Sequence, residues 1–416
     1  MAWQEEVKTV HERAGGRPER ERVERPVGPH VVRFATARTV LAALRGGGPF
    51  TVTELVEQTS LTRATVIAVC EDLVRRGWAE EQIPERAGPQ RGRPPRSFGF
   101  RADAGVVVGL DIGAHKATAL VADLGGEILA TASGGLPRGA RTAGARLDVV
   151  SGVALASLEN AGRDPRQVLA VGAGVAAPVD RDGHVAEGSD FWEMFDVGLA
   201  AALFDRHGWH VLLENDANLA ALAEQWRGAA QGLDDVAVLL AGERLGAGII
   251  ESGRLLRGRN GAAGELAFLR LVDGAVGPHG IAQLAREWGA EAASQPKGLA
   301  GLGPADVTAE AVFAAADDGD PAAAGVLLRL EDRMARVIAV LSTLLNPELV
   351  VLGGAIAPAA ARLLPGIRAA LPELTETPAE IEVSGLGGEA VALGAVRRAL
   401  DYVADWSLEI TLPDPG

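Results

Sequence analysis

Four polar side chains crowd one short stretch, Leu212–Glu224, which reads LLENDANLAALAE. Glu214, Asn215, Asp216 and Asn218 follow an apolar run and lead into an alanine-rich helical pattern. A carboxylate at the end of a buried strand can serve as a general base toward a hydroxyl group. The same residue can simply cap the helix that begins there. Three glycine turns could hold a ligand beside it. The first has Asp111, Gly113 and Lys116; the second Gly242, Gly246 and Gly248; the third Gly353 and Gly354. Glycine lets backbone N–H groups approach an anion closely, but such turns between strands are common and each is weak evidence alone.

The elements around these residues read as two related units. VVVGLDIGAHKATALVADLGGEILATA gives three strands with turns at Gly113-Ala114 and Gly125-Gly126. DVAVLLAGERLGAGIIESGRLLRG repeats the pattern, and helical segments follow each copy. An internal duplication of this kind predicts two α/β lobes facing a cleft, where ligands bind.

The first hundred residues differ in character. Residues 1–29 mix Arg, Glu, Gly and Pro without apolar periodicity and are expected to form a disordered tail. Phe34 to Leu44 has helical spacing. Thr53 is expected to cap a short helix, Leu61 to sit in a turn, and Thr62 to cap a second helix reaching about Arg76. In that second helix Val66, Val69, Cys70 and Leu73 form one buried face. Two short strands around an arginine-bearing wing follow. This is a winged helix–turn–helix pattern. Its candidate DNA contacts are Thr62, Arg63 and Thr65 in the major groove and Arg91, Arg93 and Arg96 in the minor groove.

Composition agrees with that division. The 416 residues carry a net charge of −15, and nearly half are hydrophobic. Lys and Arg exceed Asp and Glu in residues 1–100, so the remainder is strongly acidic and repels nucleic acid. No long apolar run suggests a membrane span, and no secretory leader is evident. Cys70 is the only cysteine, which excludes a disulfide framework and a cysteine-based zinc cluster. A cytoplasmic location is expected.

From about residue 105 to 400 the chain resembles the ROK family of repressors and sugar kinases. The resemblance rests on DIGAHKATALVADLGGEIL (111–129), GVAAPVDRDG (174–183), ENDANLAALAE (214–224), GAGIIESGRLLRGRNGAAGELAFL (246–269) and VVLGGAI (350–356). It implies an α/β body with the duplicated actin-like, ribonuclease H-like ATPase fold, two lobes and a cleft. An α+β winged helix–turn–helix domain precedes it, as in the family's regulators. The expected boundaries are 30–101 for the head, 105–225 and 226–405 for the lobes, and 406–416 for a tail.

The resemblance places Asp216 where family kinases have their base, and Asn215 and Glu265 where they hold sugar hydroxyls. Asp111, Gly113, Lys116, Gly246, Gly248, Gly353 and Gly354 would line ligand and nucleotide loops. Several parts depart from the kinase pattern. Ala114-His115 replaces a Gly-Thr pair, and Gly242-Glu243-Arg244 replaces Gly-Thr-Gly. Phe268 stands at a zinc-binding histidine, and the cysteine segment after it is missing. His279 alone makes no zinc site. Gln283 is the nearest polar residue to a lost sugar-contacting glutamate, and Asp190 and Trp192 stand near the family's sugar-facing Asn and Trp. The expectation is therefore a non-enzymatic DNA-binding regulator with no metal and no cofactor. Its partners would be a double-stranded operator, a sugar or phosphosugar effector, and a second copy of itself or a higher homo-oligomer. The alternative is an ATP- and magnesium-dependent sugar kinase with Asp216 as base.

Overall fold

The computed structural model describes residues 29–82, 95–136, 143–187, 189–266, 277–295, 299 and 302–413. The head begins with helix α1 (Pro29–Arg45). Strand β1 (Phe50–Thr51) leads into α2 (Val52–Thr59) and α3 (Arg63–Arg75), and β2 (Ala79–Gln82) and β3 (Ser97–Phe100) complete a small antiparallel sheet in the order β1-β3-β2. The cap of α2 is Thr51 rather than Thr53. Thr51 and Glu54 form a reciprocal capping box, in which each side chain accepts from the other's backbone N–H. Thr62 caps α3 as expected, and Val66, Val69, Cys70 and Leu73 are buried together.

The body contains the same sheet twice. In the first lobe β4 (Val106–Ile112), β5 (Lys116–Asp123) and β6 (Ile128–Gly135) run antiparallel, and β7 (Val168–Val175) and β8 (Val211–Asn215) add to β4 in parallel. In the second, β9 (Val236–Leu240), β10 (Gly246–Glu251) and β11 (Arg254–Leu255) are antiparallel, and β12 (Leu349–Gly353) and β13 (Glu380–Val383) add to β9 in parallel. The orders β6-β5-β4-β7-β8 and β11-β10-β9-β12-β13 are equivalent, which is the duplication expected from the sequence. Helix α4 (Ala143–Asn160) covers the first sheet and α5 (Leu199–His207) precedes β8. Helix α6 (Asp216–Arg227) joins the lobes. Helices α7 (Ile281–Ala293), α8 (Ala309–Asp317), α9 (Pro321–Leu345) and α10 (Leu364–Leu374) build up the second lobe.

The last helix, α11 (Ala390–Trp406), departs from the expected division. Its residues follow the second lobe in sequence, but it packs on α6 and across β4 and β7 of the first. It can do so because glycines stand at the crossings. A Cβ on Gly394 would overlap the carbonyl oxygen of Leu219 in α6, and one on Gly172 would overlap the carbonyl of Ala395. Helix and strand backbones therefore touch directly.

Helix α11 also carries the head. Leu41, Leu55, Leu73, Trp78 and Phe98 of the head form one continuous buried cluster with Leu120, Leu124, Val396, Leu400 and Val403 of the body. Polar ties reinforce this junction. Arg38 pairs with Asp405, and Arg45 donates to the Leu124 carbonyl at 3.1 Å. Arg76 donates to the Leu408 carbonyl at 3.1 Å. The segment after Trp406 thus braces the end of α3. The expected tail at 1–29 lies outside the described residues except for Pro29, which begins α1.

Replacing Gly394 with alanine forces α11 away from α6. Overpacking of this kind costs about 1–3 kcal/mol. A lowered melting midpoint by circular dichroism is the expected result, and an unchanged midpoint would show that the crossing tolerates a methyl group.

Candidate functional site

Strand β8 delivers LLEN to the interior and α6 starts at its end, so the four polar residues meet at a strand–helix junction. Asn215 is the cap. Its Oδ1 accepts from the N–H of Asn218 at 3.1 Å, and its Nδ2 donates to the Ala177 carbonyl at 3.1 Å. Asn215 therefore holds the junction, at the position where the resemblance implies a contact to sugar hydroxyls. Capping by Asn215 releases Asp216 from that duty. Asp216 is the first helical residue, and its Oδ1 accepts from the neighbouring N–H of Ala217 at 2.8 Å.

Asp216 keeps partial solvent access, yet protein surrounds it densely. Burial, and next the Asp111 charge, push its carboxyl up to about 7 against the opposing Ala217 N–H, with Glu265 adding to the rise. Burial likewise lifts Asp111 to about 6, with Lys116 pulling the other way. Glu265 is raised by burial and drawn back by Arg244. Three carboxyl groups from three separate segments thus share one electrostatic site, and like charges so placed favour the protonated forms.

Glu214 does different work. Its side chain is 4% exposed, and it forms an ion pair of 2.6 Å with Arg257, which follows β11 in the second lobe. It also accepts from Asn218 Nδ2 at 2.9 Å. The pair is a buried tie between the lobes directly behind Asp216. Arg257 is a residue that sequence reading missed. The available signal was Glu214 itself, because a carboxylate at the end of a buried strand requires a cation.

The glycine turns take their shape from the fold around them. In the first, Gly113 N–H is spent on the Lys116 carbonyl at 2.9 Å within the hairpin. Lys116 is exposed at the start of β5. Buried Arg146 of α4, also missed from sequence, donates to the Gly113 carbonyl at 2.9 Å and secures the turn from beneath. In the second, Gly246 pairs with Glu265, and Gly248 is a glycine because the Ala217 carbonyl fills the space a Cβ would need. These glycines seat the start of α6 against β10. Glu243 turns to Arg286 in a bidentate pair of 2.8 and 2.7 Å, so it does not stand as an uncompensated charge. Arg244 lies over the Phe191 ring at 4.4 Å and acts on Glu265. In the third, Gly354 has φ +90 and makes the turn out of Gly353 at the end of β12.

Thiolate zinc binding does not fit this body, since the one cysteine is Cys70, buried in the head. His279 faces Glu287 at 3.7 Å beside Arg244. Arg333 of α9, which is buried, donates to the carbonyls of Gly277 and His279 at 2.8 and 2.9 Å and fastens the segment there. Phe268 lies outside the described residues.

In the head, Arg63 is exposed at the start of α3 and forms no ion pair among the described residues. Thr62 and Thr65 are joined through their hydroxyls at 2.8 Å, and the Thr62 hydroxyl also accepts from the Thr65 N–H. Arg96 differs from expectation. It is held by Glu81 at 2.6 Å and Glu71 at 2.7 Å, tying β3 to β2 and α3 instead of extending from the wing. Arg91 and Arg93 lie outside the described residues.

A sequence profile of the ROK family matches residues 107–401, most of the two-lobed body. The chain belongs to the ROK family. A second profile, the IclR helix-turn-helix domain, matches residues 37–82 of the head. The DNA-binding transcriptional dual regulator NagC of Escherichia coli K12 is 27% identical over 333 residues, covering 78% of this chain and 81% of NagC. A glucokinase of Halalkalibacterium halodurans is 32% identical over 204 residues, 44% of this chain and 62% of that enzyme. Among solved structures, a ROK family transcriptional regulator related to the E. coli MLC protein superposes with a TM-score of 0.74 at 23% identity. It covers 91% of this chain and 98% of that one, a likeness of fold that includes the head. The chain is thus a ROK protein of the regulator architecture, a helix–turn–helix head on a two-lobed body.

The raised carboxyl groups make a prediction. An acid whose folded pKa exceeds its unfolded value destabilises the fold once ionised. Stability is therefore lost as pH rises from about 4 toward the Asp216 value of about 7. Asp216→Asn removes the ionisable group and keeps the oxygen that accepts from Ala217. It should melt higher than the parent at pH 8, by on the order of 1–3 kcal/mol, with the difference vanishing near pH 4. Equal melting points at pH 8 would refute the raised value.

Proposed function

We propose that this ROK protein is a DNA-binding transcriptional regulator, most simply a repressor, whose cleft senses a sugar or phosphosugar. The observation that carries the reading is the junction: a helix–turn–helix head whose core is continuous with the body through α11. A kinase has no need of a DNA-reading head fused to its fold, whereas a regulator needs the head to respond to the cleft. Similarity to NagC over most of both chains supports this reading.

Ligand binding would involve Asp216, Asp111 and Glu265. A neutral or half-protonated carboxyl can both donate to and accept from a hydroxyl, so a polyol suits this site better than an anion does. Arg244 beside Glu265 and Lys116 beside Asp111 supply cationic contacts there for a phosphate group. The second glycine turn carries Glu243 and Arg244 where the family's kinases carry small residues, which argues against ATP. Burial pushes the Asp216 carboxyl up to about 7, which suits a general base and, with the similarity to glucokinases, favours the kinase reading. The protein would act as a homodimer on a two-fold operator, since paired heads read paired half-sites.

Titration of the purified chain on DNA from its own promoter region tests this reading. A salt-sensitive complex is expected. Arg63→Ala should weaken it by about 1–3 kcal/mol and shallow the salt dependence by about one charge. Folded protein that shifts no DNA, yet releases ADP with a hexose in a manner abolished by Asp216→Asn, would replace the regulator with the kinase.

A further inference from the structure

A cavity of about 400 Å³ lies where head meets body. Its walls come from four places: Arg38 and Arg45 of α1, Leu124 after β5, Trp226 near the end of α6, and Arg397, Leu400 and Asp401 of α11. The volume is in the range of small-molecule sites. It is distinct from the cleft. Asp216 opens α6 and Trp226 nearly closes it, ten residues along, or about 15 Å of helix.

The charges in this cavity are unevenly matched. Three guanidinium groups face it and one carboxylate does. Asp401 is taken by Arg397 at 3.1 and 2.9 Å, and Arg38 is taken by Asp405 at the rim. Arg45 has no carboxylate of its own. It is half-buried, and it lies over the Phe100 ring at 5.3 Å. Among the described residues its one hydrogen bond is to the Leu124 carbonyl. A guanidinium has five N–H donors, and withholding them from water is costly without an acceptor. Burial holds the Arg45 pKa below the usual range, with Asp401 opposing and Arg397 reinforcing that effect. An anion entering here would satisfy Arg45 and replace the water it has lost. Leu400 and the part of Trp226 that lines the cavity offer the apolar wall against which the remainder of such a molecule would lie, with Arg227 over that ring at 4.0 Å and Arg397 at 5.9 Å.

We infer that this junction cavity is a second ligand site, one that takes a small organic anion. A phosphate or carboxylate group would sit at Arg45 and at Nη1 of Arg397, the part of that guanidinium outside its pair with Asp401, and a ring-shaped body would rest along Trp226 and Leu400. Because α1 of the head forms one wall and α11 another, the occupant would bind head and body at once. The inference concerns binding alone and stands whether or not the cleft takes a sugar.

Calorimetric titration of the full chain with phenyl phosphate tests it, with phenol and inorganic phosphate as reference probes. Saturable binding of phenyl phosphate is expected, tighter than either reference. Arg45→Gln and Arg397→Gln should each weaken it at least tenfold. Arg397 is a partly exposed side chain, so its substitution should leave the melting midpoint in place and separate lost binding from lost fold. The absence of saturable heat, or an affinity in both variants equal to that of the parent, would overturn the site. Phenyl phosphate that binds no better than inorganic phosphate would overturn the apolar wall.

Discussion

Helix α11 lies where it does because a glycine stands on one side of each crossing, Gly394 in α11 itself and Gly172 in β7, and most of the molecule depends on those crossings. Gly394 admits the Leu219 carbonyl, and Gly172 admits Ala395. The last helix is thereby set against the helix that begins with Asp216. The same helix supplies Val396, Leu400 and Val403 to the core of the DNA-reading head. Cleft and head are separate in sequence and in chemistry, but one rigid element touches both. Charges follow the same route. Arg398 of α11 lies near the Glu214–Arg257 pair behind the cleft and also acts with Asp401 and Asp405, and Asp405 holds Arg38 of the head. A change in lobe angle that disturbed Glu214 and Arg257 would be felt along α11.

The question posed by the LLENDANLAALAE stretch has a divided answer. Asn215 caps the helix, Glu214 ties the lobes together, and Asp216 is left facing two other carboxyl groups. Such a cluster is costly to keep ionised and empty, and it is relieved by protons or by a hydroxyl-bearing ligand. The neighbouring turns differ from the pattern that resemblance to the family's kinases implies: Glu243 is neutralised by Arg286, and Arg333 fastens a segment beside which thiolate zinc has no ligands.

Much of this was legible in the sequence. The duplicated strand pattern gave the two lobes because alternating burial and glycine turns are local features. The helix–turn–helix was legible for the same reason, down to the buried face of Val66, Val69, Cys70 and Leu73. Features that depend on distant pairing were not. Nothing local marks Arg257 as the partner of Glu214, Arg146 as the support of the first turn, or α11 as part of the first lobe. Arg96 shows the converse: an arginine next to a basic wing looks like a DNA contact until Glu71 and Glu81 are seen beside it. At Gly248 the space a side chain would need is taken by the Ala217 carbonyl, a close approach that no local pattern shows.

Amide hydrogen exchange of the full chain, with and without DNA from its own promoter region, is the most direct measurement of coupling between head and cleft. Coupling through α11 predicts slower exchange on DNA binding in residues 390–406 and 216–227 as well as in the head. Protection confined to residues 37–82, or none at all, would contradict it.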